Sequence, residues 1–392
     1  MTPITPRIAI IGGGPGGLIC ARVLQRHGIP VTVFDRDAYA EERPQGGTLD
    51  MQEGTGQVAL HEAGLTEAFQ AIARPEGQEM RLLDHTGTLL FRHAPPPGEQ
   101  GEPEIDRGEL RRLLLDSLAP GTVRWGRYLR TLHPLGDGTH KAEFDGGPTE
   151  TFDLVIGADG AWSRVRPLLS DHSPHYSGVT FVETGCDDAD TRHPAIARLV
   201  GDGSMMAAHN NKALIAQRNS HARIRVYAAF RGSQDWALEH GVRLADPEAV
   251  RAALLERFAG WDDRLLALLR ENDDGFVNRP LHALPVPHTW THTPGLTLLG
   301  DAAHLMTPFS GMGANLAMLD GCELALSLAR HTESDEAVRA YEAAMLPRAA
   351  QAAEAAARGL DNAIAPDAPQ GSLRHLYHSS DRPSGEHRPP AR

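Results

Sequence analysis

Residues 8–36, IAIIGGGPGGLICARVLQRHGIPVTVFDR, constrain this chain more than any other stretch. Ile8 to Ile11 is an apolar run long enough for a buried strand. Gly12, Gly14 and Gly17 follow in G-x-G-x-x-G spacing. The segment to His27 then carries Leu18, Ala21, Val23 and Leu24 on one helical face. Gly28 ends that helix, Val31 to Phe34 reads as a second strand, and Asp35 closes it, 23 residues after Gly12. Gly12 permits the tight turn, Gly14 lets the backbone approach a pyrophosphate, and Gly17 lets helix and strand pack closely. The helix N-terminus offers unpaired N–H groups and partial positive charge to phosphates, and the terminal acid accepts ribose hydroxyls. A glycine-rich turn alone fits any strand–helix–strand unit; the complete set points to a dinucleotide.

The chain has 392 residues, which favours two domains, and its 41% apolar content can fill a sizeable core. A net charge of −13, with basic residues scattered, argues against nucleic-acid or anionic-membrane partners. Cys20, Cys186 and Cys322 are far apart and odd in number, which predicts a reducing compartment and no structural zinc. The glycine-broken N-terminus does not read as a signal peptide, and no run of 18 apolar residues exists. The expectation is a cytoplasmic protein without nucleic-acid or membrane partners, working as a monomer.

Further along, Gly46-Gly47 is either a flexible loop or backbone lying against something flat. Residues 79–93 read as a hairpin turning at Asp84 to Gly87, and Pro95 to Pro103 as a loop. In EIDRGELRRLLLDSLAP, Asp106 and Glu109 have capping-box spacing ahead of an apolar stripe of Leu110, Leu113, Leu114 and Leu118. Arg107 sits in the first turn, where a cation is unfavourable against the helix dipole unless it meets an anion or solvent. Strands over 123–156 end in GADGAWSRVR, where small residues surround Asp159. This is a second site-like loop at the carboxyl end of a strand. Residues 170–290 alternate instead: Ile224 and Val226 face one way, Arg223, Arg225 and Tyr227 the other. That predicts an antiparallel sheet whose polar face is a ligand wall or solvent-exposed. Residues 247–272 are helical. Leu296 to Leu299 is a buried strand running into Gly300-Asp301, and Pro308, Gly311 and Gly313 precede another helix. His304 is a candidate acid/base group, although a histidine at a strand end more often serves structure. A helix follows Ser334, and from Pro366 the composition suggests disorder.

The G-x-G-x-x-G loop, DLVIGADGAWSRVR and GDAAHLMTPFSGMGANLAMLD together resemble the signature set of the class A flavoprotein aromatic hydroxylases, over about residues 7–362. Within that class, GGTLDM, PEIDRGELR and GDAAHLM look like the tetracycline-inactivating FAD monooxygenases. Asp35 departs from the commoner glutamate; it keeps the ribose acceptor on a shorter side chain. The resemblance implies an α/β fold: a doubly wound, Rossmann-like FAD-binding domain of the GR2 type with an inserted antiparallel-sheet substrate domain and a C-terminal helix. The expected boundaries are 1–170 and 286–332 for the FAD-binding domain, 171–285 for the substrate domain, 333–364 for the helix and 365–392 for a disordered tail.

By the same resemblance, Gly12, Gly14 and Gly17 take the pyrophosphate and Asp35, followed by Arg36, the adenosine ribose. Arg107 takes the phosphate or ribityl side, Asp301 the ribityl hydroxyls, and Asp50 and Asp159 further FAD contacts. The Gly311, Gly313 and Ala314 backbone lies by the pyrimidine end of the isoalloxazine, Pro308 is a further cofactor contact, and Arg43 matches a position linked to NADPH. Implied chemistry is reduction of FAD by NADPH, addition of dioxygen at the flavin C4a, and attack of the distal peroxide oxygen on an electron-rich enol or phenol carbon. The cofactor carries the reaction, so no side chain need act as nucleophile. The substrate wall departs from the tetracycline enzymes: glutamine, arginine, asparagine and histidine are replaced by Glu183, Ser204, Gln217 and Arg225, with Tyr227 beside them. A tetracycline is the expected substrate, with another aromatic polyketide or phenol as the alternative. A flavin halogenase lacks support, since the tryptophans stand apart and only Lys141 and Lys212 are present. A lipid reductase is disfavoured by the acidic charge. A non-catalytic flavin-containing drug binder or redox sensor stays open.

Overall fold

The structure is a computed structural model describing residues 6–96, 98, 101–145 and 147–374. The chain divides into two compact units. The first comprises Met1–Gln78, Pro95–Ser177 and Pro280–Ala357, and the second Glu79–Ala94, Gly178–Arg279 and Arg358–Arg392.

In the first unit, five parallel strands stand in the order Leu296–Leu298, Leu154–Gly157, Ile8–Ile11, Val31–Phe34 and Val123–Arg124. The apolar runs are buried on both faces, as a parallel sheet between helices requires. The helices Pro15–Arg26 and Met312–Arg330 pack together, and their backbones touch through glycine. A Cβ on Gly16 would meet the Ala317 carbonyl oxygen at 2.5 Å, and one on Gly321 the Gly16 oxygen at 2.2 Å. A three-stranded antiparallel sheet (Leu129–Pro134, His140–Phe144, Glu150–Phe152) stacks Phe144 on Phe34 with ring centroids 4.4 Å apart. A short ladder pairs Thr48–Asp50 with Glu104–Asp106.

Register decides what this unit can do. Ile11 pairs with Gly157 and with Phe34, and Gly157 pairs with Leu298. Three loops and an acid therefore leave the carboxyl edge side by side: Gly12 to Gly14, Asp35, Ala158 to Gly160 and Leu299 to Asp301. Ligands of open α/β sheets bind along that edge.

The second unit is built on a seven-stranded sheet ordered Val277–Ala283, His175–Cys186, Ile224–Arg231, Lys212–Arg218, Ser204–His209, Met80–Leu83 and Leu89–His93. One face is apolar. Val182, Cys186, Met205, Leu214, Ile224, Val226 and Phe230 pack there against the helices Pro194–Val200, Pro247–Arg257 and Asp263–Arg270.

Two expectations need correction. The hairpin at residues 79–93 forms, with Gly87 N–H donating to the Asp84 carbonyl, but it extends the sheet of the second unit instead of belonging to the first. Between residues 179 and 231 the strands pair antiparallel as expected, and Met80–Leu83 joins that sheet parallel to Ser204–His209. The C-terminal helix spans Ser334–Ala363, and residues 365–374 pack onto the second unit. Ala365 and Ala368 are buried, and Asn211 N–H donates to the Ala365 carbonyl at 2.7 Å. Alanines among prolines can cover apolar surface here, a property that composition does not reveal. The rest of the expected tail, 375–392, lies outside the described residues. Among the described residues no helix is long and apolar enough to cross a membrane.

Candidate functional site

The G-x-G-x-x-G loop is shaped by two kinds of glycine. Gly12 has φ +113°, and a Cβ there would meet the Ala158 carbonyl oxygen at 2.2 Å. Gly17 is equally obligatory, because its Cβ would stand 2.3 Å from the Gly12 oxygen. Gly14 is different: φ is −81°, and a Cβ would find no protein atom within 4 Å. The protein itself does not require glycine at position 14, and the space before its backbone is free of protein atoms. Helix Pro15–Arg26 begins there with no side-chain cap and no acid in its first turn, and helix Met312–Arg330 begins likewise after Gly311. Helix starts without a side-chain cap suit an anionic ligand, with Met312 N–H already meeting Ser310 Oγ at 3.4 Å.

Asp35 is buried, and its Oδ2 accepts the Gly13 N–H at 2.8 Å while Oδ1 accepts that of Asp37 at 2.9 Å. Its carboxylate is thus fixed against the glycine loop. The neighbouring Arg36 is exposed. Arg43 donates its Nε to both oxygens of Asp37, at 2.9 and 2.8 Å, and is itself half exposed. Asp159 accepts the Arg164 N–H at 2.6 Å on Oδ2, whereas its Oδ1 is buried with no partner, an open acceptor for a ligand hydroxyl. Burial pushes the Asp159 carboxyl up, against hydrogen bonds from Ser163 and Arg164. Asp301 heads the short helix Asp301–His304 and is exposed.

Asp50 lies close to Gly311, whose Cβ would stand 3.4 Å from Asp50 Oδ2. Burial raises the Asp50 pKa, opposed by a Gln52 hydrogen bond of 3.0 Å and by the nearby Arg107 charge. Arg107 is exposed; its N–H donates to the Gly47 carbonyl, and its stem packs near Gly46, which has φ +99°. The Gly46-Gly47 backbone therefore does lie against a side chain. Pro308 begins a short turn ending at Gly311, with φ +68°, and Gly313 and Ala314 form the first turn of the next helix. A Cβ on Gly313 also meets open space.

The capping box does not form. Asp106 stands at the N-cap without capping; its carboxylate instead accepts Arg74 Nη2 at 3.0 Å, a stronger, charge-assisted bond. His304 is fully enclosed with its Nε2 2.6 Å from Asp320 Oδ2, which suits a structural role.

Several supporting residues escaped the sequence reading. Arg111 is buried and donates to the Gly13 carbonyl at 3.2 Å and to Asp37 at 3.4 Å. Asn315, fully buried, accepts the Gln52 N–H at 3.1 Å and donates to the Asp50 carbonyl at 2.8 Å. Arg166 joins two loops, donating to the Ala302 and Ala161 carbonyls. Arg111 lies inside the leucine stripe, between Leu110 and Arg112, where nothing in the sequence marks it out. Only the fold supplies its partners.

In the second unit, Glu183, Gln217, Arg225 and Tyr227 share the sheet face opposite the helices. Cross-strand register sets Glu183 beside Tyr227, Arg225 beside Gln217, and Gln217 beside Ser204. Arg225 does not stand free with both ends of its fork available. Its Nη1 pairs with Glu183, which also pairs with Arg279, a residue not foreseen.

A parallel sheet with a glycine loop, a buried strand-end acid and helix starts without side-chain caps along one edge is the arrangement of a dinucleotide-binding α/β fold. The chain belongs to the FAD binding domain family, whose profile matches residues 5–240 and 286–356. It is 34% identical over 88% of its length to monooxygenase penA of Penicillium thymicola, 92% of which is covered. It is 30% identical to the 3-amino-4-hydroxybenzoate 2-monooxygenase PtmB3 of Streptomyces platensis, with 94% of this chain and 91% of the relative covered. Among solved structures, Klebsiella pneumoniae HpxO with FAD and uric acid superposes with a TM-score of 0.78 at 22% identity, covering 95% and 92% of the two chains. Tetracycline destructase Tet(55) superposes with a TM-score of 0.74 at 22% identity, covering 97% and 96%. These likenesses make the chain a flavin monooxygenase in family and fold. The tetracycline enzymes share the fold at an identity too low to carry a substrate.

Proposed function

We propose that this chain uses NADPH and dioxygen to hydroxylate an electron-rich phenol or enol carbon of a small, oxygen-rich ring compound. Tetracycline is the particular candidate, supported by GGTLDM, PEIDRGELR and GDAAHLM. The observation that carries the reading is the edge of the parallel sheet, where Gly14 is open, two helix starts are uncapped and Asp35 is locked beside the glycine loop.

These residues fit FAD. Gly12 to Gly17 hold the pyrophosphate on backbone N–H groups, and Asp35 accepts the adenosine ribose. Asp159 Oδ1 and Asp301 accept ribityl hydroxyls, and Arg107 neutralises phosphate charge. Asp50 and Gly311 to Ala314 line the ring end. FAD, when bound and reduced, supplies an electrophilic oxygen atom from dioxygen and the electrons that make water of the other. The protein's own work is to orient the ring, exclude water and stabilise negative charge. The start of helix Met312–Arg330 serves the last, at roughly 0.3–1 kcal/mol and up to ~2 in partly buried geometry. Arg43, half exposed and braced by Asp37, is suited to meet a phosphate of NADPH. No side chain is required as nucleophile.

The test is a panel of tetracycline, 3-amino-4-hydroxybenzoate and salicylate incubated with the FAD-loaded protein, NADPH and isotopically labelled dioxygen. Mass spectrometry is expected to show one labelled oxygen in a product, with substrate-dependent oxygen uptake. NADPH oxidation that ignores every substrate and labels none would overturn the reading and favour a flavin-containing binder or redox sensor.

A further inference from the structure

On the polar face of the second unit's sheet, one carboxylate meets two guanidiniums. Glu183, with 8% of its side chain exposed, pairs through Oε1 with Arg225 and through Oε2 with Arg279. Arg225 is 11% exposed and Arg279 51%. The cluster therefore carries one positive charge in excess. Two residues earlier, the balance is opposite: Arg223 pairs with both Asp187 and Asp274, so its charge is more than compensated. Arg225 also keeps a buried Nε with no hydrogen-bond partner. A buried donor left unpaired, in a cluster with uncompensated charge, is costly unless a ligand completes it.

The surroundings describe that ligand. Gln217 stands across the ladder from Arg225 and Ser204 across from Gln217, adding neutral hydrogen-bonding groups. Tyr227 stands beside Glu183, with its ring 5.5 Å from that of Phe181. A guanidinium fork, polar neighbours and two aromatic rings suit a flat ring bearing one anionic oxygen group: a carboxylate, phenolate or enolate. Both Glu183 oxygens are already engaged, so Glu183 fixes the two guanidiniums instead of meeting a substrate.

We propose that the Glu183–Arg225–Arg279 cluster selects substrates carrying a single negative charge, with Arg225 and Arg279 as the binding cations and Glu183 as their positioning residue. This rests on reading the polar face as the substrate wall.

The experiment is isothermal titration of the FAD-loaded protein at pH 7, without NADPH. Three acids (3-amino-4-hydroxybenzoate, 4-hydroxybenzoate, salicylate) are each compared with their methyl ester. At least one acid is expected to bind tenfold or more tightly than its ester. Arg279→Gln and Arg225→Gln each bring the cluster to zero charge and should abolish that preference. The double variant Glu183→Gln, Arg279→Gln returns it to one positive charge on Arg225, and the preference should return. A packing role would not follow this charge count. Absence of preference in every pair, its survival in both single variants, or its failure to return in the double variant would overturn the proposal. Oxygen incorporation is scored separately. A protein that prefers acids yet never labels a product keeps this inference and loses the monooxygenase reading, and the converse result separates the two the other way.

Discussion

His304 Nε2 stands 2.6 Å from Asp320 Oδ2, with both side chains enclosed. The same carboxylate oxygen accepts the Gly300 N–H at 3.1 Å, and its partner oxygen accepts Arg348 Nη2 at 3.1 Å. The pair thus ties the Gly300-Asp301 loop to helix Met312–Arg330. Burial alone would lower the His304 pKa, but the Asp320 charge overrides it and the value rises; for Asp320, burial is overridden by His304 and the value falls. The His304 contribution is complete below about pH 6.5 and is lost as pH climbs through its raised value. The Asp320 contribution holds above 3.8 and is lost as pH falls through its lowered value. Breaking such a buried pair costs about 3–5 kcal/mol. His304→Asn is therefore expected to lose stability of that order in urea denaturation at neutral pH, while the rate per bound flavin changes little. Vanished turnover with normal flavin content and normal flavin reduction would instead make His304 catalytic.

Glu104 should make the fold less stable as pH rises. Burial pushes its carboxyl up to about 7; Asp50 and Asp106 add to this, and Thr48 and Arg74 oppose it. The folded state then binds more protons than the unfolded between about pH 4.5 and 7, so stability falls across that window and stays lower above it. At about 1.4 kcal/mol per pH unit, the loss is at most on the order of 3 kcal/mol. Glu104→Gln keeps an acceptor for Thr48 and removes the titration. Guanidinium denaturation at pH 5 and pH 8 checks this. The variant should gain on its parent only at pH 8, and a difference independent of pH would show that the carboxyl does not titrate there.

What could be read in advance was local. The strand–glycine–helix units and the strand-end acids are each encoded within about thirty residues, and the sheet brings them together as expected. What could not be read depends on distant partners. Arg111 is explained by a glycine carbonyl 98 positions away, and Asn315 by a backbone N–H 263 positions away. Asp106 had the spacing of a cap, but the fold offered it Arg74 instead. Alternation correctly set Arg225 on a polar face, yet nothing in that strand announces Glu183, which comes from the antiparallel neighbour, or Arg279 beyond it. The hairpin at 80–93 shows the same limit, since its turn is local and its sheet is not.

Asp301 should matter to cofactor retention and hardly at all to folding. It is exposed at the start of a four-residue helix, so removing its carboxylate leaves no buried group unpaired. If it accepts ribityl hydroxyls, Asp301→Ala weakens FAD binding by about tenfold, or about 1.4 kcal/mol. Apoprotein stability should stay within about 0.5 kcal/mol, as for other surface changes. Flavin absorbance after gel filtration, with denaturation of the apoprotein alongside, separates the effects. Full flavin occupancy in the variant would remove Asp301 from the cofactor's partners.

Gly12 and Gly14 sit two residues apart in one loop and should fail in opposite ways. An alanine at position 12 would place its methyl 2.2 Å from the Ala158 carbonyl oxygen, in a backbone with φ +113°. Gly12→Ala must therefore displace the end of the neighbouring strand, and the expected result is a marked loss of stability with or without FAD. At position 14 the backbone is one that any residue adopts, and nothing of the protein lies within 4 Å of the added methyl. Reduced freedom of the unfolded chain stabilises such a Gly→Ala change by about 0.4–1 kcal/mol, and the poorer helix cap offsets this by roughly 0.5–1 kcal/mol. Gly14→Ala apoprotein should accordingly match its parent within about 1 kcal/mol. If the FAD pyrophosphate lies on the Gly14 backbone as proposed, the methyl projects into its place and FAD affinity should fall at least tenfold. Titration of apoprotein by quenching of FAD fluorescence reads the affinity, and thermal denaturation without cofactor reads the fold. If Gly14→Ala binds FAD as its parent does, the phosphates lie elsewhere, and the open N–H groups at the start of helix Pro15–Arg26 are not their cradle.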